Sequence, residues 1–197
     1  MFAKGEIRQN LMGCLETALF MRSGTNRFCA SRQGMLKSFI IPIVLLPLTL
    51  VTVLSAHPAG QLSADATHIL AAIYTLRLFI YLGAFLAFVY AMARTMDRLD
   101  DFYRFASANN WLTLPAAILI APLSIAFMNG HYEWAEVYPL MVFITLYSYA
   151  YTAFMAAHVM RIPMELACFI AIAGMAIHQT SLDVLKWAAV SFIQLIA

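Results

Sequence analysis

The sequence predicts an all-α protein of the polytopic membrane class, a bundle of about five transmembrane helices with an amphipathic surface helix at the amino-terminal end. Composition is the first reason: 63% of the 197 residues are hydrophobic and 11% are charged, whereas soluble domains carry roughly 25% charged residues. The second reason is a series of apolar runs with the length that a bilayer requires. The third is that Lys and Arg gather in two polar stretches, as in proteins with a fixed orientation in the membrane.

The distribution of basic residues predicts which helix ends share a side of the membrane. The amino-terminal region holds six of the twelve Lys and Arg residues, and Arg94, Arg98 and Arg104 lie in a charged segment between two apolar runs, residues 94–111. Positively charged segments of membrane proteins tend to stay in the cytoplasm. We therefore expect a cytoplasmic amino terminus, a cytoplasmic loop at 94–111 and, with an odd number of spans, a carboxyl terminus outside.

The amino-terminal region is expected to lie on the membrane surface. Residues 1–34 form a cytoplasmic segment that is amphipathic and basic, and residues 35–197 form the bundle, all within one membrane domain, 1–197. Apolar residues recur on one helical face at Ile7, Leu11, Cys14, Leu15, Ala18 and Leu19. This stretch is too short and too polar to span, which favours a surface helix that ends at Gly24. Neither a cleavable secretory signal nor a disulfide framework is expected.

The first two spans carry features that bear on helix packing. The first is expected at about residues 36–56, with a bend at Pro42 and Pro47, because a proline inside a helix removes a backbone donor. The loop at 57–67 lacks Lys and Arg and is expected outside. The second span, at about 68–93, carries a stripe of small residues that lets another helix approach closely: Gly83, Ala87 and Ala91.

Arg77 lies within the second span and is the most informative single residue of the sequence. A charge at that depth costs at least a few kcal/mol unless it is paired, solvated or able to reach the interface. The expected partners are Asp65, Glu133 and Glu136, or backbone carbonyls freed at the prolines. Two interpretations stay open: a structural ion pair or interfacial contact, and a polar cavity that serves function.

The third and fourth spans are expected at about 111–128 and 139–159, joined by an aromatic and acidic segment on the outside. One face of the fourth helix carries Tyr147, Tyr151, Phe154 and His158, and a hydrogen-bonding stripe on another face carries Ser148, Thr152 and Ala156. The aromatic face is interpreted as packing in preference to a ligand slot.

The fifth span is expected at about 163–178, with Glu165 in its first turn, where the helix dipole favours an acid. The last stretch, 181–197, is predicted either as an outer-surface helix capped by Ser181 or as the end of a longer, tilted fifth helix.

Motifs for catalysis or metal binding are weak. The sequence DRLDD at 97–101 has the residue types with which membrane prenyl-transferring enzymes hold magnesium and diphosphate. Those enzymes need a second acidic cluster, so pairing of these acids with the nearby arginines is preferred. The histidines His57, His68 and His131 are interpreted as loop residues. No metal, cofactor or nucleic-acid partner is expected.

Two segments carry a resemblance to a known group: SFIIPIVLLPLTL at 38–50 and YRFASANNWLTLP at 103–115, followed by a final span rich in small residues. Their order resembles that of uncharacterised bacterial membrane proteins related to the Yip1-like family. The resemblance implies five spans with a cytoplasmic amino terminus and an accessory role in membranes without established catalysis. The expected location is the bacterial inner membrane. Within the second segment, Asn109 and Asn110 are expected to cap the third helix while Trp111 anchors at the interface.

The function expected from the sequence is that of a non-enzymatic membrane component that packs against lipids, other membrane proteins or a second copy of itself. The alternative is a transporter of small solutes or lipids with a polar site around Arg77. An intramembrane enzyme is the third hypothesis. The candidate functional polar residues are Arg77, Asn109, Asn110, Tyr147, Tyr151, His158 and Glu165.

Overall fold

The computed structural model describes residues 5–55 and 63–196, and this part of the chain contains nine α-helices and the turns between them. The helices are α1 (Glu6–Ala18), α2 (Arg22–Thr25), α3 (Arg32–Ser38), α4 (Ile40–Ser55), α5 (Ala64–Thr95), α6 (Leu99–Trp111), α7 (Thr113–Met128), α8 (Trp134–Met160) and α9 (Met164–Ile196).

Five segments of the described chain are long and apolar enough to cross a membrane, which confirms the predicted all-α fold and number of spans. They are Arg32–Leu54, Asp65–Thr95, Leu99–Phe127, Ala135–Met160 and Met164–Ser191. Within the bundle α9 packs against both α8 and α5, and α4 packs against α7. The third segment runs through both α6 and α7 and begins at Leu99. The predicted third span begins at about residue 111 and therefore leaves out α6.

Most of the buried core lies toward one end of the bundle, which we call the compact end. It comprises α1, α2, α3 and α6 together with the last turns of α5 and α8 and the first turns of α9. Side chains without any exposed surface are concentrated here: Val89, Ala93, Phe105, Ala106, Ala108, Met155, Ala156, Met160, Ala167 and Ile170.

The remainder of the bundle, which we call the open half, consists of α4, α7, the first halves of α5 and α8 and the second half of α9. Many of its large apolar side chains are exposed, among them Ile118, Leu119, Ile125, Leu140, Phe143 and Leu146. In a membrane protein such surfaces face lipid, which is as apolar as the side chains themselves.

The segment 94–111 departs from the sequence expectation of a loop. Residues Leu99–Trp111 form helix α6, and one face of it is buried at Phe102, Phe105, Ala106, Ser107, Ala108, Asn110 and Trp111. Most of the charges fall at its start, where Arg98 lies 3.6 Å from the carboxylate of Asp101, and Arg104 lies near the middle of the helix. The loop prediction relied on these charges. It overlooked the small and aromatic residues of the following turns, which pack against α1, α3, α5 and α8.

Helix α1 confirms the predicted amphipathic helix but presents its faces differently. Its buried positions are Asn10, Gly13, Cys14, Thr17 and Ala18, while Ile7, Leu11, Leu15 and Leu19 are exposed. The small and polar residues therefore face protein and the long apolar ones face outward, as expected for a helix in contact with lipid.

The carboxyl end of α1 reaches the middle of a spanning helix. The hydroxyl of Tyr147, the central residue of α8, donates a hydrogen bond to the carbonyl of Ala18. Phe20 makes edge contacts with Tyr147 and Phe154, at centroid distances of 5.6 and 5.4 Å. The α1–α2 turn thus packs along the side of α8 as far as the middle of that helix.

Gly24 does not end α1, which is followed by Leu19 and by Phe20 at a positive φ of 57°. Gly24 lies in α2, where a Cβ atom would come within 2.6 Å of the backbone nitrogen of Thr17. An ion pair between Arg27 and Glu16, 2.5 Å long, joins the same two segments. The absence of a side chain at Gly24 is therefore what allows α2 to press against α1.

Helix α9 continues without a break to Ile196, so the longer fifth helix is the correct one of the two alternatives. The prediction of a cap at Ser181 is wrong, because its hydroxyl lies inside this helix and donates to the carbonyl of Ile177.

Candidate functional site: an intramembrane cavity

The open half surrounds a cavity of about 350 Å³. Helices α4, α5, α7, α8 and α9 all contribute side chains to its wall, and α6 contributes Asn109. The volume falls within the roughly 300 to 1,000 Å³ that is usual for small-molecule sites. Leu45, Leu48, Leu82 and Ile120 make much of the wall apolar.

Hydroxyl groups on α4 and α8 give the cavity wall hydrogen-bond acceptors. Thr49 donates to the carbonyl of Leu45 at 3.1 Å, and Thr152 donates to the carbonyl of Ser148 at 2.7 Å. Because each hydroxyl has one hydrogen, such a bond to its own helix leaves only oxygen lone pairs for other partners. Earlier in α8, the hydroxyl of Ser148 donates to the carbonyl of Thr145, and the hydroxyl of Thr145 donates to the carbonyl of Met141.

Two tyrosines supply donors to the same wall. Tyr81 of α5 and Tyr149 of α8 both line the cavity. Among the described residues we find no hydrogen-bond partner for either hydroxyl group. A phenol both donates and accepts, so these two groups are available to a polar molecule in the cavity.

Arg77 lies directly behind this wall and is 9% exposed. Its Nε and Nη2 atoms donate to the carbonyl oxygen of His178 on α9 at 3.1 and 3.0 Å, and its guanidinium stands 5.4 Å from the ring centre of Tyr74. The expected acidic partners are wrong: within the described residues Arg77 makes no ion pair with Asp65 or with the glutamates of the outer segment. The partner of Arg77 is instead the backbone carbonyl of His178, which lies in the continuous helix α9. This carbonyl is not one that a proline has freed from its helical hydrogen bond.

The Arg77 contact also determines the form of His178. Nη2 lies 2.9 Å from Nδ1 of the imidazole, and since a guanidinium can only donate, Nδ1 accepts. The ring is therefore the neutral tautomer with its hydrogen on Nε2. His178 lines the cavity and packs edge-on against Tyr81 with ring centres 5.0 Å apart.

Asn109 and Asn110 take different roles from the expected cap. Asn109 is half-buried and lines the cavity, while Asn110 is fully buried and donates to Ser38 at 2.9 Å. The capping prediction is wrong, because both lie in the last turn of α6 and α7 has no side-chain cap. Trp111 is 2% exposed and lies in the core instead of anchoring at an interface.

The aromatic face of α8 packs against protein. Tyr147 binds the carbonyl of Ala18, and Tyr151 donates to the carbonyl of Leu112 at 2.9 Å. His158 lies 2.8 Å from the carbonyl of Phe154, one turn earlier. Of these residues Tyr151 alone reaches the cavity wall.

Glu165 is exposed in the first turn of α9 and does not line the cavity. In residues 5–55 and 63–196 the structure places no three His, Cys, Asp or Glu side chains close enough to hold a metal ion. His57 lies outside the described residues, and His68 and His131 are exposed.

Sequence reasoning missed the residues that complete the wall, namely Tyr81, Tyr149 and His178. One signal was available for His178, since a buried arginine requires a polar partner from another span. The two tyrosines carry no such signal, because aromatic residues are common throughout these helices.

Comparison of the chain with protein-family models, with curated proteins and with solved structures finds no match. The fold itself decides the class. The protein is a five-span helical membrane protein. Its membrane helices imply contact with a lipid bilayer, and its cavity lies among them.

Proposed function

We propose that the protein is a non-enzymatic membrane protein that binds a small amphiphilic molecule, a lipid or an apolar solute, between its spans. The observation that carries the proposal is the cavity of about 350 Å³ whose wall combines apolar side chains with polar groups, including two tyrosine hydroxyls without a partner in the described chain. A polar group left unpaired in an apolar region costs free energy. A bound molecule with a polar head group offsets that cost.

The proposal includes a location in the bacterial inner membrane, with the compact end on the cytoplasmic side and residues 1–197 acting as one domain. The concentration of Lys and Arg in α1–α3 and α6 supports the orientation. The contacts of α1 with α6, α7 and α8 support a single domain. Span number, hydropathy and the two segments quoted above support kinship with the Yip1-like group.

The test is photochemical labelling of the full-length protein in lipid nanodiscs with a diazirine derivative of decanol. We expect labelled peptides from the cavity-lining stretches of α8 and α9. Ser148→Phe, which places a bulky ring in the cavity, removes that labelling. Ala150→Phe is the matched control because Ala150 is exposed on the outside of the same helix.

Labelling confined to lipid-facing side chains, or equal labelling in the two variants, would contradict the proposal. Thermal unfolding of both variants, recorded first, shows whether each is folded.

A second function, packing against another membrane protein or a second copy, is favoured by one observation on α5. Gly83, Ala87 and Ala91 are all exposed, and a Cβ atom added at Gly83 would meet nothing within 4 Å. No other helix of the described chain therefore packs closely against these three small residues, although small residues on a membrane helix usually mark such a contact. Replacing Gly83 by Leu weakens such an association, and mass photometry of the protein in nanodiscs measures it. An unchanged distribution of oligomers would remove this function.

A further inference from the structure

The surroundings of Arg77 indicate the chemical class of the ligand, provided that the proposed function of the cavity holds. Arg77 has no counter-ion in contact. Residues 5–55 and 63–196 contain ion pairs at Glu16, Glu6 and Asp101, none of which involves Arg77. Asp183, further along α9, acts on the guanidinium through space without an ion-pair contact.

A guanidinium remains charged under all physiological conditions, and a buried charge is favourable only when it is paired and hydrogen-bonded. The contacts of Arg77 are the carbonyl and ring of His178 and the face of Tyr74, which are all neutral groups. The positive charge is therefore partly solvated by the protein and is not neutralised. Its field extends into the adjoining cavity, where few mobile ions screen it.

The cavity wall nearest Arg77 is rich in donors. His178 accepts from Arg77 at Nδ1 and so keeps a hydrogen on Nε2. The hydroxyls of Tyr81 and Tyr149 have no acceptor among the described residues. Three neutral donors beside one positive charge that has no counter-ion in contact form a site for an anionic oxygen group.

The size of the cavity limits the rest of the ligand. The cavity volume of about 350 Å³ lies near the lower end of the roughly 300 to 1,000 Å³ that is usual for small-molecule sites. A phospholipid with two long acyl chains is several times larger. A single medium-length alkyl chain with a small head group fits the volume, and the leucines and isoleucine of α4, α5 and α7 match its apolar body.

A second crevice, of about 180 Å³, lies beside this cavity. It lies between α4 and α5, and it shares Pro42, Leu78 and Leu82 with the cavity wall. Its other side reaches Ile43, Phe79 and Gly83, which are exposed. The crevice therefore places an apolar opening, next to a residue without a side chain, against the outer side of the cavity wall.

We propose that the cavity binds a single-chain amphiphile with an anionic oxygen head group, such as a medium-chain carboxylate, which enters from the bilayer between α4 and α5. The head group lies against Tyr81, Tyr149 and His178 in the field of Arg77. The alkyl chain extends along the apolar wall formed by α4 and α7.

The experiment is competition for photolabelling by the decanol probe in nanodiscs of zwitterionic lipid, with the full chain. Decanoate, decyl phosphate, decanol and decylammonium are compared at equal membrane concentration. We expect the two anions to displace the probe at roughly tenfold lower concentration than decanol, as charge-assisted hydrogen bonds imply. Decylammonium is the weakest competitor.

Two sets of variants test the residues. Tyr81→Phe and Tyr149→Phe remove only the hydroxyls, and each lowers the preference for decanoate over decanol by roughly threefold. Arg77→Leu abolishes the preference, and Arg77→Lys keeps part of it. Arg94→Leu, which removes an exposed arginine at the end of the same helix, leaves the preference unchanged.

The outcomes separate the two proposals. If decanol and decanoate compete equally, or if decylammonium is the best competitor, the anionic ligand is wrong while the cavity site stands. If only decyl phosphate competes, the head group is a phosphate ester and the carboxylate is wrong. If no probe labels the cavity at all, the proposed function falls as well. Should Arg77→Leu fail to fold, the two tyrosine variants still decide the question.

Discussion

At the compact end, side chains from seven helices fill the space between them, whereas in the open half five spans surround a cavity of about 350 Å³. Helices α4 and α7 of the open half are more apolar than α1 and α6 of the compact end, so a higher apolar content does not by itself produce tight packing. The compact end has small residues at its contacts, including Ala93, Ala106, Ala108 and Ala156. The open half has Thr, Ser and Tyr at the corresponding inward positions of α4 and α8. In a bilayer, tight packing follows from small inward residues, and inward polar residues leave room for other molecules.

The largest contrast is expected from truncation of a phenylalanine in each region. Phe105→Ala at the compact end removes a ring without exposed surface and lowers the free energy of unfolding by about 3 to 5 kcal/mol. Phe143→Ala is the matched control in the open half, where the ring is 63% exposed and its loss costs about 1 kcal/mol or less. Unfolding by denaturant in detergent micelles measures both, and equal losses would contradict the division into two regions.

A second contrast concerns cysteine reactivity. Cys14 is 3% exposed and its Sγ donates to the carbonyl of Trp111 at 3.2 Å, and burial raises the pKa of its thiol to about 12. Because the thiolate is the reactive form, Cys14 is expected to react with N-ethylmaleimide at least roughly a hundredfold more slowly than the half-buried Cys29. Mass spectrometry of single-cysteine variants at neutral pH gives the two rates. Comparable rates would mean that the compact end opens readily.

These contrasts show where sequence reasoning succeeds and where it stops. The five spans follow from run length and composition, because the bilayer sets the length of every spanning helix. The buried face of α6 does not, because its alanines and Asn110 gain their role only from helices that are distant in sequence. Arg77 and His178 likewise lie 101 positions apart, and no local pattern joins them. The charge of Arg77 predicted a polar partner without predicting which group supplies it.

An intermediate effect is expected from adding one methyl group to a glycine in each region. Gly24→Ala forces a carbon into the space 2.6 Å from the backbone of Thr17 and destabilises the protein by about 1 to 3 kcal/mol. Gly83→Ala faces open space and stabilises α5 by up to about 1 kcal/mol, since alanine favours helix. Shifts of opposite sign in the thermal unfolding temperature are the expected result. A loss at both positions would show that Gly83 contacts a partner.

The smallest expected effect is on how the thermal stability of the protein changes with pH, and it comes from Glu16 at the compact end. The hydrogen bonds from Arg27 and Ser23 lower the pKa of Glu16 below its ordinary value of 4.5. A carboxyl group whose pKa is lower in the folded protein than in the unfolded chain stabilises the fold at every pH above its ordinary pKa. This stabilisation is lost as the pH falls through the pKa that the group has in the folded protein. Glu16→Gln therefore reduces the loss of thermal stability below about pH 4.5. An acid profile of Glu16→Gln identical to that of the wild-type protein would contradict this contribution.

The most direct measurement of the ligand-binding role is a structure of the protein with decanoate brominated at the end of its chain. Anomalous scattering from bromine is expected between α4 and α7, with the carboxylate against Tyr81, Tyr149 and His178. A cavity closed by side chains, or bromine found only on the lipid-facing surface, would contradict that role.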